Sequence, residues 1–569
     1  MELSSPARAR SAAGGAGRWS ARSLAPARTG SYMGSVVGPG LGRLRWARPV
    51  AHAALLAAAA VPFLLAAALE MARGYRPASD DAVISFRAWQ VWSLHPPLVG
   101  QYVLPTGHAP QAYDLGPGLY WLLSLPVHLD PSQGALWGAG LLCGLAAMLC
   151  VQAAWSARGP GAAAVVLTGL AVLVAARPLL ATDPVWNPNF GLIWFVAAAL
   201  AGWAVVSGRL GWWPVQVFAA SLAVQCHVEY ALGSVACCLL APLLGLVRSR
   251  RIGRWLPVGL AVGLLCWLPT TLQQLTARRG NVSALLAESH QGAGMGAGFG
   301  WRLLASAVEP PTLWQHGNRL SDFRWVMGSI GSRPVFVGPV VIALLALATA
   351  VAWWKGRIEL AGLSAVTLVL AASVVVTFAV FPRSHLLAIS YLVPISWPVG
   401  ILVWAVVLWS LAELAGRAAS KARARYLRLV PIGRLATAAG LVASMALTGG
   451  GASLLAVDAA RGDYLVSGWR AVAQTTAVVS EIRCELRRGS LEVEGDASSH
   501  PLQVYAVLTG TIWQLYSDGW KPTTPPPIAQ AFGYSVAAPR RPARLVLVPH
   551  LQSRAPQPTA SCPARSGSS

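Results

Sequence analysis

Two adjacent carboxylates, Asp80 and Asp81, are the residues of this chain best placed to do chemistry. They lie in RPASDDAVISFRAWQVW (76–92), between a long apolar run and a stretch of helical period. A carboxylate at a membrane surface can take a proton from an acceptor, provided cationic groups hold a phosphate and an apolar groove holds a lipid tail. Acids are scarce here, 21 Asp and Glu against 44 Lys and Arg, so a doubled one is either a solvated loop or working chemistry. The plainer alternative is that Asp80 caps the following helix and Asp81 sits in its favourable first turn. In that helix Ile84, Ala88 and Val91 fall on one stripe, which suits a helix lying along the interface with Trp89 and Trp92 as anchors.

Further polar groups interrupt apolar sequence. QCHVEY (225–230) sets Gln225, His227 and Glu229 inside an apolar run, where an unneeded ionisable group costs a few kcal/mol. They should face a cavity, or His227 and Glu229 should satisfy one another. ATDPVWNPNFGLIWF (181–195) brings Asp183, Trp186, Asn187 and Asn189 to the start of a crossing, with Asn189 expected as an N-cap. For phosphate, the candidates are Arg302, Arg324 and Arg333 in a large loop, and Arg383 with His385 at a tight turn. Two His, one Glu and two Asp could ligate a metal, but no HExxH or comparable spacing calls for one. A divalent cation stays open, and no cofactor is implied.

The elements that must position these residues are membrane helices. With 569 residues, 55% hydrophobic and 11% charged, the chain is too apolar for soluble domains. Each crossing of a bilayer core about 30 Å thick needs roughly 20 apolar residues. Apolar runs predict crossings near 50–70, 132–155, 160–178, 189–207, 255–272, 335–354, 358–381, 384–412 and 430–456, and 212–247 reads as two short helices meeting at QCHVEY. Eleven crossings place Arg158, Arg209, RSRRIGR (248–254), KGR (355–357) and 417–428 on the side of the basic first 48 residues, as the positive-inside rule asks. The net charge of +23 is thereby explained by topology, and nucleic-acid binding is not expected.

The expectation is therefore an all-α polytopic protein of the plasma membrane with a disordered cytoplasmic tail (1–48) and a transmembrane domain (49–457). Its outer loops are 72–131, which carries the acid pair, and 273–334, whose GAGMGAGFG (292–300) reads as flexible. A small α+β extracytoplasmic domain follows (458–569). Six cysteines fall in membrane helices; Cys484 and Cys562 lie in the outer tail, where an oxidising compartment should let them pair.

In this order the blocks resemble the GT-C glycosyltransferases, integral membrane enzymes that include protein O-mannosyltransferases, aminoarabinose transferases and arabinofuranosyltransferases. The resemblance begins with the acid pair opening the first outer loop. SDDAVISFRAWQVWSLHPPLVGQY, GPGLYWLLSLPVHL, VWNPNFGLIWFVAAALAGWAVVSG and VQCHVEYALG are similar to successive blocks of a GT-C-like family of high-GC bacteria, and GTIWQLYSDGWKP, FGYSV and ARLVLVP to its ending. The resemblance implies a catalytic aspartate, Asp81 or Asp80 with Asp81 preferred, and a polyprenyl-phosphate sugar donor bound from the outer leaflet. It implies an inverting transfer to an extracytoplasmic glycan or lipid acceptor in envelope assembly. A histidine beside the Gly-Pro block is also implied, with His108 its displaced heir here. A lipid or glycan transporter and a non-catalytic cell-wall assembly factor stay open as alternatives.

Overall fold

The computed structural model describes residues 47–103, 111–249, 253–289, 292–320, 322–423, 469–485, 490–495, 501–525, 528–532 and 543–547. The chain divides into Met1–Ala51, of which only the start of α1 is described, and His52–Ser569, which holds everything that follows. The first half comprises α1 (Ala47–Ala72), α2 (Ser79–Gln90), the short strands β1 (Tyr102–Val103) and β2 (Ala112–Tyr113), α3 (Gly118–Leu129), α4 (Gly134–Arg158), α5 (Pro160–Ala176), α6 (Leu179–Thr182), α7 (Asn187–Val206), α8 (Trp213–Cys226) and α9 (Ala231–Ser249). The second comprises α10 (Trp255–Thr276), α11 (Asn281–Ser289), α12 (Ala297–Val308), α13 (Phe323–Gly331), α14 (Val337–Trp354), α15 (Ile358–Val380), α16 (Ile389–Leu392) and α17 (Ser396–Arg423).

Among the described residues eight helical segments are long and apolar enough to cross a membrane: 49–72, 134–158, 187–206, 228–247, 255–276, 337–354, 358–380 and 389–415. Two expected crossings are shorter. α5 has 17 residues and α8 has 14, which at about 1.5 Å per residue give roughly 25 and 21 Å against a 30 Å core. The expected crossing at 430–456 lies outside the described residues, so the chain is a multi-pass helical membrane protein without the count of eleven being fixed. Proline in the first turn starts α5, α7 and α8, where its missing N–H would be unpaired anyway. α7 is buried along its whole length and forms the centre. Outer helices turn leucines outward, Leu264 and Leu265 of α10 being 74% and 71% exposed, a surface that only lipid accommodates. Gly140 and Gly144, one turn apart on α4, bring its backbone close to Ala60, Phe63 and Ala67 of α1.

The helix ends sort into two groups. At one end Arg158 closing α4, Arg357 before α15 and Glu413 of α17 meet in ion pairs, and Arg209 after α7 donates to the Ser156 carbonyl. At the other end lie the start of α2, the start of α7 and the α8–α9 junction.

Three expectations are corrected here. α2 is not an interfacial helix: Val83, Ile84, Phe86 and Ala88 are all under 1% exposed, because a helix of the tail covers the face turned away from α3. That helix, α19 (Pro501–Ser517), packs Trp513 and Tyr516 against Phe86 with ring centroids 6.3 and 4.6 Å apart. The Gly-rich segment is pinned rather than loose. Met295 and Gly296 donate to the Phe381 and Ala379 carbonyls at 3.0 and 2.8 Å, and a Cβ on Gly300 would sit 2.3 Å from the Val375 oxygen. Glycine there permits backbone to approach backbone. In the tail, α18 (Trp469–Glu485) and α19 accompany three strands, β3 (Ser490–Gly495), β4 (Lys521–Thr523) and β5 (Ala543–Leu547), with the short helix α20 (Ile528–Ala531) between β4 and β5. The strands are parallel in the order β4-β3-β5, so helix and strand alternate as in an α/β unit rather than segregating.

Candidate functional site

The turn into α2 is built around the acid pair. Ala78 is extended and makes no side-chain cap, and Ser79 has φ 53°, the one left-handed non-glycine among the described residues. Such a conformation costs on the order of 1–2 kcal/mol and persists only where the surroundings hold it. What holds it is packing around the two carboxylates. Asp80, half-buried, accepts from Trp186 Nε1 at 3.0 Å, Tyr505 Oη at 3.2 Å and Gln101 Nε2 at 3.3 Å. Asp81, 3% exposed, accepts from Tyr75 Oη at 2.7 Å. Neither carboxylate bonds to the α2 backbone, so Asp80 is not the helix cap, while Asp81 does lie in the first turn as the plainer alternative had it; their partners come from the α1–α2 connection, the β1 strand region, the α6–α7 connection and the tail.

Those partners are themselves fixed. Gln101 accepts from Tyr120 Oη at 3.0 Å, and its carbonyl takes the Asp114 N–H at 2.8 Å. Asn281, opening α11, clamps Tyr113 of β2 through both its N–H and its carbonyl. Asn187 Nδ2 bridges Asp114 Oδ2 at 2.9 Å and the Cys226 carbonyl at 2.8 Å, tying the hairpin to the start of α7 and the end of α8. Tyr391 of α16 closes the group, its ring 5.3 Å from that of Trp186 and 6.1 Å from that of His227.

Asp80, Asp81 and Asp114 thus meet neutral side-chain donors, Asp183 lies in their field with its Oδ1 buried and without a hydrogen-bond partner, and among the described residues none of the four is ion-paired. Burial dominates their proton affinities. It lifts Asp80 above the usual carboxylate range, against the opposing hydrogen bonds from Tyr505, Trp186 and Gln101. Burial and the neighbouring Asp183 hold Asp81 well above it, which favours its protonated form. Asp114 and Asp183 are each raised to about 7, again chiefly by burial.

The residues singled out from sequence fall into different places. His227 and Glu229 bond to one another, the second of the two expectations for them. Gln225 accepts from the Gly118 N–H at 2.9 Å and donates to the Cys266 carbonyl at 2.8 Å, joining α3, α8 and α10. Asn189 is not a cap, since α7 already starts at Asn187; its side chain accepts from Arg177 Nε at 2.9 Å and donates to the Leu179 and Asp183 carbonyls. His385 Nε2 lies 2.9 Å from Glu288 Oε1, and Arg333 pairs with Glu309 at 3.7 Å. Arg302 is half-buried on α12, with its Nε unbonded, while Arg324 and Arg383 are exposed; none of the three bonds to the acid cluster. His108 and Cys562 lie outside the described residues, and Cys484 is disulfide-bonded. Among the described residues no group of three or more His, Cys, Asp or Glu is arranged to hold a metal.

Sequence reasoning missed Tyr75, Gln101, Asp114, Tyr391, Tyr505 and above all Arg177. Arg177 is 5% exposed, stands over the Trp186 ring at 5.8 Å and lies in the field of Asp183. Its signal was positional: an arginine at the end of a crossing where the charge rule places none. Asp114 was legible as the lone acid between Asp81 and Asp130.

No family model, no curated protein and no solved structure matches this chain.

Proposed function

We propose that the chain is an inverting membrane glycosyltransferase that moves a sugar from a polyprenyl-phosphate donor to an extracytoplasmic glycan or lipid acceptor. One observation carries the reading: Asp80 is held at the end of the bundle by three neutral donors from segments far apart in sequence. Such donors orient a carboxylate without neutralising it, as a general base requires. The choice of base accordingly moves from Asp81, deeply buried beneath Tyr75 with its proton affinity raised by burial, to Asp80, which keeps some exposure. Asp80 takes the proton of the acceptor hydroxyl as that oxygen attacks the anomeric carbon, and the bond to the lipid phosphate breaks on the opposite face. Arg177, placed beside Trp186 and Asp183, is the cation assigned to the departing phosphate.

The arginine end is assigned to the cytoplasm and the acid end to the outside. Reporter fusions at 253 and 300 test this, with opposite sides expected. A transporter would need polar groups along a midplane path, whereas here they gather at one end of the bundle. Purified protein incubated with a radiolabelled polyprenyl-phosphate sugar separates the readings. Label covalently moved to an acceptor supports the transferase; label carried intact across a vesicle, or merely retained, replaces it with a transporter or an assembly factor.

A further inference from the structure

A slot on the arginine half of the bundle answers to chemistry that the acid cluster does not use. α5 and α17 part over a cavity of about 470 Å³ whose floor is supplied by α7 and α15, within the roughly 300–1,000 Å³ typical of ligand sites. Leu200 and Trp203 of the floor are buried, whereas Val165 and Leu408 at the mouth are 57% and 60% exposed. The slot therefore opens sideways, toward the surface that lipid covers. On α5 its lining runs from Gly161 to Leu173, about 18 Å at 1.5 Å per residue, close to the roughly 15 Å of one leaflet of a 30 Å core.

Its lining is apolar apart from one charged residue, Arg158, at one end. The Arg158 side chain is 44% exposed and its guanidinium lies over the Trp409 ring at 4.2 Å. Arg158 and Arg357 share Glu413, and Glu359 at the start of α15 also acts on Arg158; with Arg209 bonded to the adjacent Ser156 carbonyl, three arginines stand against two carboxylates, so that this corner holds a net positive charge. An occupant that satisfies both features has a long apolar body and one anionic end.

We propose that this slot is a binding site for an anionic phospholipid, with one acyl chain between α5 and α17 and the phosphate at Arg158. The site is independent of the transferase reading. A polyprenyl phosphate shares the same chemistry, but bound here its phosphate would lie at the opposite end of the bundle from Asp80, and the slot is only about one leaflet deep. A phospholipid of the leaflet on the arginine side meets both conditions without leaving its layer.

The test uses the full chain in nanodiscs with two photoactivatable lipids, phosphatidylglycerol and phosphatidylcholine, each carrying a diazirine on one acyl chain. Cross-links from phosphatidylglycerol are expected to concentrate in peptides covering 161–173 and 398–412, above those on the outward face of α10, and to exceed those from phosphatidylcholine. Val165→Trp, which fills the mouth, is expected to abolish this enrichment. Arg158→Gln removes a charge-assisted contact and is expected to reduce the preference for phosphatidylglycerol about tenfold. Three wild-type results overturn the proposal and need no variant to fold: labelling spread evenly over α10 and the slot, equal labelling by the two lipids, or displacement by polyprenyl phosphate at lower concentration than by unlabelled phosphatidylglycerol.

Discussion

The arginine corner and the Asp80–Asp81 pair, at the two ends of this helical bundle, treat charge in opposite ways, although His227 and Glu229 bond to one another beside the acids. At the arginine end, opposite charges pair directly: Arg158 and Arg357 share Glu413, and Trp409 donates its indole N–H to the same carboxylate at 3.1 Å. At the acid end, among the described residues, Asp80 meets only a tryptophan, a tyrosine and a glutamine, and Asp81 only a tyrosine. An ion pair fixes helices and quenches both partners, whereas neutral donors fix a carboxylate and leave its charge and proton affinity available. The first arrangement builds structure. The second keeps a reactive group, at a cost in folding stability that burial makes plain.

The sharpest way to break this contrast is Asp80→Asn, which preserves shape while removing the proton acceptor. Transfer from a polyprenyl-phosphate sugar is expected to fall about 10²–10⁴-fold, with the thermal unfolding midpoint little changed. Because burial raises Asp80, the wild-type rate should climb with pH as that carboxyl ionises, and the variant should lose that limb. Wild-type turnover in the variant would leave Asp80 as scaffold. Stability should run the other way. Asp114 and Asp183 are raised to about 7 in the folded protein from an ordinary value of 3.8, so the folded state binds more protons than the unfolded chain between those values. Their contribution is fully present below about pH 4 and is lost as pH rises through 7, a change on the order of a few kcal/mol for each group. Unfolding midpoints measured at pH 5 and pH 8 should therefore fall with pH, and Asp183→Asn should flatten the difference.

Much of this architecture was legible because a bilayer imposes length. Apolar runs marked α4, α7, α14 and α15 to within a few residues, and the polar break in QCHVEY marked the α8–α9 junction at His227. The contacts that make the site were not legible, for a physical reason. Tyr505 reaches Asp80 across 425 residues, and no periodicity in either segment encodes that meeting. For α2 the stripe of Ile84, Ala88 and Val91 read as one wet face and one greasy face. Val83 and Phe86 on the other side were the sign that a second layer, α19, covers it. Arg177 went unread because an arginine beside an apolar run is ordinarily a topology signal; its position at the wrong end of a crossing was the clue, and its burial beside Asn189 and Trp186 gives that clue its meaning.

Tyr505→Phe sharpens the same comparison with a smaller effect. It deletes one of three donors to Asp80 while Trp186 and Gln101 keep the carboxylate in place. A hydrogen bond to a charged group is worth about 1.5–3 kcal/mol, of which the two remaining donors recover part, so a rate loss of about tenfold is expected. The direction of the pH shift distinguishes this role from mere packing. Losing a donor makes ionisation harder, so the rising limb of the rate profile should move to higher pH. An unmoved limb with reduced rate would assign Tyr505 to packing of the tail against α2.

The smallest effect is expected at the other end, from Glu413→Gln. The substitution removes the carboxylate shared by Arg158 and Arg357, yet those side chains are 44% and 35% exposed, and solvent can take over much of what the ion pairs supply. Pairs of this kind contribute about 1 kcal/mol or less and weaken with salt. Arg158 also keeps its contact with the Trp409 ring, and glutamine can still accept from the indole N–H. The unfolding midpoint is expected to drop by about 2 °C or less, and the drop should shrink between about 50 and 500 mM salt, a tenfold change in ionic strength that shortens the Debye length about threefold. A loss of several kcal/mol, insensitive to salt, would mean that this corner is as dry as the acid end, and the contrast between a wet, paired corner and the buried, unpaired Asp80 and Asp81 would have to be abandoned.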